Sequence, residues 1–280
     1  MTQERLKPVY VESVFREKNP QLYRYLPSFV IRYLKRIIHQ DKLNEFIAYA
    51  KDKFGPDFAE AYIDYAKIKV SFKGEENLPA PGDERVIFAG NHPLGGLDGI
   101  ALIDKLGHRY PGMKFMVNDI LMHIINLRPI FLPINKHGGQ AREAARKIQE
   151  AHASEIPIFT FPAGLVSRRQ KGVIKDLKWG KNVVSNAIRY QRDIIPVHIS
   201  GRNSNFFYGL ANWRKRLGIK ANIEMLYLVD EVWKNNGASI EITLGERISY
   251  KSFTKEKSHE AWAQELKSIV YSLPGKASQD

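Results

Sequence analysis

A histidine and an aspartate lie six positions apart on a glycine-rich stretch and are suited to form a proton-transfer pair. The stretch covers residues 90–99 (GNHPLGGLDG), where His92 and Asp98 are the titratable side chains. A neutral imidazole can take a proton from a hydroxyl or an amine, and a carboxylate bonded to its second nitrogen fixes the tautomer. The same side chains also commonly cap backbone groups in tight turns. Taken alone, the stretch favours the capping interpretation.

The segments on either side place this stretch between a strand and a helix. Residues 86–89 are apolar and are followed by turn residues, which is typical of a buried strand. Residues 100–106 have a helical pattern that Gly107 closes. In an α/β sheet, ligands bind and catalytic side chains project at the carboxyl ends of the strands. The sequence therefore predicts that His92 and Asp98 lie at such an end.

Two further turns follow predicted strands later in the chain. Residues 133–136 (PINK) follow a strand at 130–132, and residues 162–169 (PAGLVSRR) follow a strand at 156–161. Arg168 and Arg169 in the second turn are suited to bidentate binding of a phosphate or carboxylate. A solvated surface pair is the ordinary alternative. We expect the three turns to converge on one face.

Apolar strand patterns alternate with helical patterns from residue 85 onward, which predicts parallel β-α units. Strands are predicted at residues 86–89, 115–117, 130–132, 156–161, 194–199 and 240–244. Helices are predicted at residues 99–106, 120–125, 140–150, 180–189, 206–217 and 259–273, whereas 223–233 fits either a helix or a strand. The expected fold class is α/β, a mostly parallel sheet flanked by helices.

The beginning of the chain is predicted to form a helical layer. An irregular arm at residues 1–20 precedes helices at 28–38, 43–54 and 57–67, and residues 78–83 (LPAPGD) make the best boundary. We therefore expect an N-terminal helical region at residues 1–78 and an α/β domain at 79–280.

The first long helix of that region is amphipathic and basic. Ser28 is positioned to cap it. Its predicted apolar face consists of Phe29, Val30, Tyr33, Leu34, Ile37 and Ile38, with Arg32, Lys35 and Arg36 on the other side. This pattern fits a segment lying in a membrane surface. It fits equally a helix packed on the domain with a solvated basic face.

The amino-acid composition limits the class of protein to which the chain can belong. Of 280 residues, 44% are hydrophobic and 26% charged, which is ordinary for a globular chain. The chain contains no cysteine, which excludes disulfides and thiolate metal sites. No apolar signal-peptide core follows Met1, and no apolar run approaches the roughly 20 residues of a membrane-spanning helix. We expect an intracellular protein without a transmembrane segment.

The net charge of +13 is concentrated in one part of the chain. Residues 168–220 contain thirteen lysines and arginines against two acids, Asp176 and Asp193. Such a local positive field attracts anionic membranes, nucleic acid, nucleotide-like cofactors or acidic carrier proteins. Aromatic residues among the cations at residues 206–216 are typical of interfacial segments.

Together, the turns resemble the motifs of the glycerolipid acyltransferase family, which includes the lysophosphatidic acid acyltransferases. That family has an Asn-His-x4-Asp motif, a Phe-hydrophobic-Arg-like segment, Phe-Pro-Glu-Gly-Thr-Arg-Ser, and a hydrophobic-Pro-Val segment. Residues 91–98 resemble the first, 130–135 the second, 161–168 the third and 194–199 the fourth, in matching order. The first and third motifs are the specific ones.

Three features depart from the family pattern. Five residues rather than four separate His92 from Asp98, and glycine's access to unusual backbone conformations can absorb the extra residue. Ala163 replaces the family's glutamate, and Arg168 lies two positions late. The forms NHPLGGLDG and FPAGLVS, with residues 200–207, are more similar to the haemolysin-like branch, which includes acyltransferases of amino-acid-containing lipids.

The resemblance implies transfer of an acyl group from a thioester donor to a lyso-lipid or amino-acid-lipid acceptor. The donor would be either acyl-carrier protein or acyl-CoA. His92 would be the general base and Asp98 would orient it. Backbone N–H groups of the Gly95-Gly96 turn or of residues 162–164 would stabilise the oxyanion. The substrate-binding positions that it suggests are Asn91, Gly95, Gly96, Asn135, Pro162, Gly164, Ser167, Arg168 and Arg169.

The resemblance also implies expectations about cofactors and location. No bound cofactor and no metal are expected, because the thioester donor is a co-substrate. The expected partners are an anionic membrane surface, the lyso-lipid acceptor and, for that donor, an acyl-carrier protein. The protein is expected to be cytoplasmic and peripheral on the cytoplasmic face of the membrane.

Two other classes of function stay open. A non-catalytic anionic-lipid-binding protein on the same fold is the main alternative, because the first motif is irregular and Ala163 replaces a carboxylate. A nucleic-acid-binding protein would suit the basic charge. However, the sequence has no helix-turn-helix, zinc-finger or RNA-recognition signature, so no nucleic-acid partner is expected. The eight histidines form no closely spaced metal-ligand pair, and no glycine loop matches a phosphate-binding fingerprint.

Overall fold

The computed structural model describes residues 8–18, 20–134 and 141–276. The strands among these residues are β1 Lys69–Lys73, β2 Val86–Gly90, β3 Lys114–Asn118, β4 Phe131–Ile134, β5 Ile158–Thr160, β6 Arg168–Gln170, β7 Val173–Lys175, β8 Asp193–Ile199 and β9 Ser239–Leu244. Seven of them form one sheet in the order β1-β9-β8-β2-β5-β3-β4, and β6 and β7 form a separate hairpin.

The sheet is mostly parallel, as the alternating pattern predicts. Strand β2 is parallel to both of its neighbours, β5 and β8, and β3 is parallel to β5 and β4. Strand β9 is antiparallel to β8 and carries β1 parallel to itself. The predicted α/β fold class is confirmed.

Helices cover both faces of this sheet. The described helices are α1 Val11–Lys18, α2 Pro20–Tyr25, α3 Ser28–Ile37, α4 Gln40–Tyr49, α5 Pro56–Tyr65, α6 Gly96–Leu106, α7 Ala141–Ala153, α8 Asn182–Tyr190, α9 Asn205–Arg216, α10 Leu228–Lys234 and α11 His259–Lys276. Strand β2 shows how the layers form, because successive side chains of a strand point to opposite faces. Val86 and Phe88 pack in a core with α5 and α6, whereas Ile87 and Ala89 pack in a core with α8 and α11.

The prediction of an irregular arm at residues 1–20 is wrong for residues 11–18, which form α1. Val11 is buried against Leu34 and Ile37 of α3, and its N–H donates to the Gln40 side chain at 3.0 Å. A helix of eight residues is too short to be stable alone, so tertiary packing rather than local pattern determines it.

Two predicted helices are shorter or tighter than expected, and Asn126 explains both. Its side-chain amide donates to the carbonyls of Ala50 and Lys53, and its backbone carbonyl accepts from Gly55 N–H. The helix predicted at 43–54 therefore ends near Tyr49. The helix predicted at 120–125 is instead a pair of 3-10 turns, Asp119–His123 and Ile125–Leu127, held against α4.

Strand β1 and the β6-β7 hairpin are absent from the sequence-based prediction. Strand β1 precedes the expected boundary near Leu78, yet it joins the sheet beside β9. Its residues alternate between exposed and half-buried, as expected for an edge strand. The boundary therefore does not coincide with the start of the sheet.

Helix α3 is rotated relative to its predicted orientation. Ile31, Leu34 and Ile37 form its buried stripe, whereas Phe29 and Tyr33 are exposed beside the arginines. The expected cap is also wrong, because Pro27 occupies the N-cap position and no side-chain cap bond forms. Hydrophobic spacing predicts a helix here but does not choose between two overlapping apolar stripes.

Candidate active site

Strand β2 ends in a turn that is fastened to the neighbouring strand. A Cβ at Gly90 would lie 2.9 Å from the Phe159 ring, so the strand end admits no side chain. Asn91 follows, and its side chain donates to the Ile199 carbonyl at 2.9 Å and accepts from the Ile199 N–H at 2.7 Å. Asn91 thus extends the pairing of β2 with β8 by one residue and sets the starting point of the His92 turn.

His92 and Asp98 are in direct contact. The distance from His92 Nδ1 to Asp98 Oδ2 is 2.8 Å. The histidine side chain retains 18% of its accessible surface, whereas the aspartate has none. With Asp98 ionised, Nδ1 carries the proton, and Nε2 has the lone pair of a base. The predicted contact between the two side chains is therefore present.

The extra residue of the motif is accommodated at Gly95. This glycine precedes α6 with φ of 79°, a conformation that favours glycine. The turn directs the N–H groups of Leu94 and Gly95 at Asp98 Oδ2, at 2.9 and 3.0 Å. One carboxylate oxygen therefore accepts three hydrogen bonds, and the longer spacing does not displace the aspartate from the histidine.

The protonation of Asp98 is set by opposing effects. Burial raises the pKa of Asp98 above its ordinary value, because a charged carboxylate loses its hydration. The bond from His92 and the two backbone N–H groups lower the pKa and offset part of that shift. The arrangement binds the ionised form through Oδ2 alone, since Oδ1 is buried and has no hydrogen-bond partner among the described residues.

The turn after β5 covers the histidine. The Phe161 ring stacks on the His92 imidazole with centroids 3.9 Å apart. The Ser167 N–H donates to the His92 carbonyl at 2.7 Å. The turn after β8 also reaches this place, because the Asn203 amide donates to the Pro93 carbonyl at 3.1 Å. The turns after β2, β5 and β8 therefore converge.

Asp176 is a site residue that sequence reasoning did not identify. It is buried and accepts hydrogen bonds from the Ser167 hydroxyl at 2.6 Å, the His92 N–H at 3.2 Å and the Trp179 indole at 2.8 Å. Together, Ser167 and Asp176 bind both polar groups of the His92 backbone. The available signal was that Asp176 is one of two acids among thirteen cations.

Arg168 does not lie free at the end of its turn. It is buried, and its guanidinium bonds to Glu224 at 2.9 Å and to the Val166 carbonyl at 2.6 Å. Arg214 bonds to the same buried Glu224 at 2.7 Å. Burial lowers the pKa of Arg168, and the Glu224 carboxylate partly offsets that shift. In this conformation Arg168 connects β6 to α9 and is not positioned to hold an acceptor.

Arg169 is more accessible. Its guanidinium donates to the Asn205 side chain at 2.5 Å and lies over the Tyr208 ring. The exposed Arg202 donates to the same Asn205 oxygen. Two cations therefore converge on one neutral acceptor at the start of α9, which keeps Arg169 as a candidate for binding a negatively charged group.

The remaining residues that were predicted to bind substrate lie in different local environments. Gly95 N–H and Gly164 N–H are bonded to Asp98 and to the Phe161 carbonyl, so neither is oriented toward an oxyanion. Pro162 is half-buried, and its carbonyl accepts from Gly180 N–H. Gly96 begins α6. Asn135 lies outside the described residues.

One group of side chains comes close enough to share a metal ion. Ligand atoms of Asp57, Glu60 and His108 lie within 4.8 Å of one another among the described residues. All three are exposed, and they lie at the end of α6 opposite from Asp98. Exposed acidic groups are common without an ion, so we assign no metal site.

A sequence model of the family described as "Acyltransferase" matches residues 13–271. The chain belongs to the acyltransferase family. A curated relative from Bacteroides thetaiotaomicron, named lyso-glycine lipid O-acyltransferase, is 47% identical over 274 residues, which cover 98% of this chain and 100% of the relative. A protein of the same name from Phocaeicola vulgatus is 46% identical over 274 residues, covering 98% of both chains.

Comparison with solved structures also finds similarity to this acyltransferase. A crystal structure of the 1-acyl-sn-glycerophosphate acyltransferase PlsC from Thermotoga maritima has a TM-score of 0.46 at 18% identity. The match covers 94% of this chain and 86% of that chain. Among the described residues of this acyltransferase, no helix combines the length and the apolar character needed to cross a membrane.

Proposed function

We propose that this acyltransferase moves a fatty acyl group from a thioester donor to the hydroxyl of a lyso-glycine lipid, with His92 as general base. The observation that carries the proposal is the contact of His92 Nδ1 with the buried Asp98 at 2.8 Å, which leaves Nε2 as the basic nitrogen. The acceptor class follows the names of the two relatives that match nearly the whole chain.

The proposed reaction balances around one proton. His92 Nε2 removes the proton of the acceptor hydroxyl while the oxygen attacks the thioester carbonyl. A carbon–oxygen bond forms and a tetrahedral oxyanion results. The oxyanion collapses with cleavage of the carbon–sulfur bond, and the leaving thiolate takes the proton from the imidazolium. Asp98 stabilises the imidazolium and holds the ring, whereas Phe161 covers one ring face.

Several features support this proposal over a non-catalytic lipid-binding protein. The longer spacing between His92 and Asp98 is accommodated at Gly95 without loss of their contact. The His92 backbone is bound on both sides, by Ser167 and by Asp176. A protein that only bound lipid would not require this orientation of a single imidazole.

We further propose that the enzyme works at the cytoplasmic face of a membrane, where its acceptor resides.

The departure at Ala163 and the burial of Arg168 bear on the acceptor. Both positions differ from the family's third motif, which helps to hold a phosphate-bearing acceptor, and neither presents a free charged group here. We therefore propose that lysophosphatidic acid, whose phosphate carries a charge of about −1.5 to −2, is a poorer acceptor than a lyso-glycine lipid, whose carboxylate carries a single negative charge.

Thiol release from the donor tests the proposal. The purified enzyme is incubated with acyl-CoA or acyl-carrier protein and with lyso-glycine lipid or lysophosphatidic acid as acceptor. We expect release that depends on lyso-glycine lipid, and a loss of about 10²-fold or more in His92→Ala. Acceptor-dependent release that is unchanged in His92→Ala would disprove the role of His92. Release that depends only on lysophosphatidic acid would disprove the acceptor class.

A further inference from the structure

Two stretches of the chain contain several cations and no acid, and the fold brings them together. Residues 20–40 include α2 and α3, and residues 199–223 include α9. The 3-10 turn Ile223–Tyr227 lies between the two helices. Its Tyr227 hydroxyl bonds to the Tyr33 hydroxyl of α3, and its ring lies 5.0 Å from the Phe206 ring of α9. Segments far apart in sequence therefore form one continuous surface.

We call this the α3–α9 surface and define it by its exposed side chains. Its apolar and aromatic members are Tyr25, Phe29, Tyr33, Phe206, Trp213, Leu217, Ile219 and Leu226, and its cations are Arg24, Arg32, Arg36, Lys215, Arg216 and Lys220. Lys35 is excluded because it pairs with Glu12. The carboxylate of Glu224 is buried between two arginines and does not reduce the charge of the surface.

The exposed stripe of α3 alternates rings and guanidiniums. Phe29, Arg32, Tyr33 and Arg36 are spaced by three, one and three residues, so they share one helix face. Phe29 is 64% exposed although the helix has a complete buried stripe on its other side. The fold therefore does not use the Phe29 side chain for its own packing.

Helix α9 presents a matching stripe. Phe206, Trp213 and Leu217 are spaced by seven and four residues and face outward, and Trp213 is 56% exposed. Lys215 and Arg216 are exposed beside them. Large exposed rings next to cations are suited to the headgroup level of a bilayer, where rings enter the interface and cations meet lipid phosphates.

The α3–α9 surface borders the turn that carries His92. Leu228, next to Tyr227, packs closely against the Gly95 turn, because a Cβ added at Gly95 would lie 3.1 Å from the Leu228 side chain. At the start of α9, Ser204 bonds to Glu231 of α10, and Asn203 bonds to the Pro93 carbonyl. A membrane against this surface would thus lie beside the His92–Asp98 pair.

We propose that the α3–α9 surface docks the enzyme on an anionic bilayer and presents the His92 turn to acceptors in that bilayer. The lipid acceptor in this statement rests on the proposed function, whereas the docking does not. An acidic carrier protein would also suit the cations. The bilayer is favoured because large rings project outward on both helices, rather than lying in a groove that a folded partner would fill.

Vesicle binding tests the docking directly. The probes are vesicles of phosphatidylcholine and vesicles of phosphatidylcholine with phosphatidylglycerol in equal parts. We expect the enzyme to prefer the anionic vesicles and Arg32→Gln/Arg36→Gln to bind them about 25-fold more weakly, roughly fivefold per cation. Phe29→Ser/Trp213→Ser should weaken binding to both vesicle types. All four positions are exposed, so the variants should melt like the wild type.

The matched control removes the same charge at the opposite end of the sheet. Lys251 and Lys255 are exposed near the start of β8, where the Tyr250 N–H bonds to Asp193, whereas His92 lies at the carboxyl ends of the strands. Lys251→Gln/Lys255→Gln should bind anionic vesicles like the wild type. Equal weakening in this control, or unchanged binding in Arg32→Gln/Arg36→Gln, would overturn the proposal.

Activity separates this proposal from the proposed function. The Phe29→Ser/Trp213→Ser enzyme should lose acyl transfer to acceptor embedded in vesicles yet retain transfer to a short-chain acceptor that is monodisperse in solution. His92→Ala should lose both reactions and keep vesicle binding. If vesicle binding is normal in the surface variants while reaction with acyl-carrier protein alone is lost, the surface docks the carrier protein and the bilayer proposal is wrong.

Discussion

His92 and Asp98 differ in exposure, and this difference separates their roles. The imidazole is accessible and can touch a substrate, whereas the carboxylate is fully buried and contacts the imidazole. In the proposed mechanism, Asp98 is therefore a positioning residue. Three hydrogen bonds converge on its Oδ2, and they offset part of the effect of burial, which favours protonation.

The burial of Asp98 predicts a pH-dependent effect on stability. Its pKa is raised in the folded state, so the folded protein holds the Asp98 proton at pH values where the unfolded chain has released it. The free energy of unfolding of the wild type therefore falls as the pH rises above the pKa that Asp98 has in the unfolded chain. We expect the melting temperature of Asp98→Asn, relative to wild type, to increase between about pH 4 and about pH 7.

Asp83 is the control for this experiment because its pKa shifts in the opposite direction. Bonds from Arg247 lower the pKa of Asp83, so its contribution to stability is present above the unfolded-state pKa and is lost as the pH falls. The melting temperature of Asp83→Asn, relative to wild type, should decrease as the pH rises toward about pH 4 and should change little between about pH 4 and about pH 7. A similar decrease in Asp98→Asn would contradict the account of Asp98.

The backbone contacts of Asp176 predict an effect on turnover. In Asp176→Ala, no side-chain acceptor remains, so the bonds from His92, Ser167 and Trp179 are all lost. We expect kcat to fall about 10- to 100-fold through misplacement of His92. Trp179→Phe removes the indole bond alone and should lower the melting temperature but leave kcat within about twofold of wild type. Equal kcat losses in both variants would show that Asp176 acts through stability.

At the scale of elements, one buried arginine joins a helix end to the sheet. Arg192 immediately precedes β8 and donates to the carbonyls of Ala151, His152 and Ser154 at the end of α7, and to Ile156 before β5. Burial, with the nearby charge of Arg85, lowers the pKa of Arg192 to about 10. These bonds satisfy carbonyls that the end of α7 leaves without helical partners.

Replacement of Arg192 by lysine is predicted to be strongly destabilising. One ammonium cannot reproduce the planar array of donors, so buried carbonyls lose their partners. We expect Arg192→Lys to lower the free energy of unfolding by about 3 kcal/mol in urea denaturation. Arg189→Lys, on the exposed side of α8, should change it by less than about 0.5 kcal/mol. Equal effects of the two substitutions would mean that the hydrogen bonds from Arg192 to the end of α7 do not contribute to stability.

The sequence predicts elements well where local pattern and tertiary packing agree. The six predicted strands all occur, because apolar runs such as residues 86–89 have no competing interpretation. Local pattern fails where distant side chains decide. Val11 forms a helix because α3 buries it, and Asn126 tightens residues 119–127 by binding the chain after α4.

The site was predictable to a similar extent. His92 and Asp98 share one turn, so their contact follows from local geometry. The settings of Arg168 and Asp176 depend on partners such as Glu224 and Trp179, which no spacing rule connects to them. The catalytic and binding roles of these residues stay predictions.

At the scale of the whole molecule, the net charge is distributed less simply than the sequence suggests. Three of the thirteen cations at residues 168–220 are buried: Arg168, Arg192 and Arg214. They bond to Glu224 or to backbone carbonyls and so contribute to folding. The remaining cations of this window contribute to the external positive field together with the exposed arginines of residues 20–40.

This distribution predicts a salt dependence that differs between substrates. Raising the ionic strength from about 0.1 M to about 1 M shortens the Debye length from about 10 Å to about 3 Å. Acyl transfer to acceptor in anionic vesicles should fall steeply over this range. Transfer to monodisperse acceptor should fall less, because it requires binding of the anionic donor but not binding to a charged vesicle. Equal salt dependence of the two reactions would contradict this view.

The central claim is that His92 and Asp98 act as one proton-transfer unit, and a double-mutant cycle in kcat tests it most directly. Acceptor-dependent thiol release is measured for wild type, His92→Ala, Asp98→Asn and the double variant. We expect each single variant to lose about 10²- to 10⁴-fold and the double variant to lose no more than His92→Ala, because Asp98 acts through His92. Near-wild-type turnover in Asp98→Asn, or losses that multiply in the double variant, would contradict the claim.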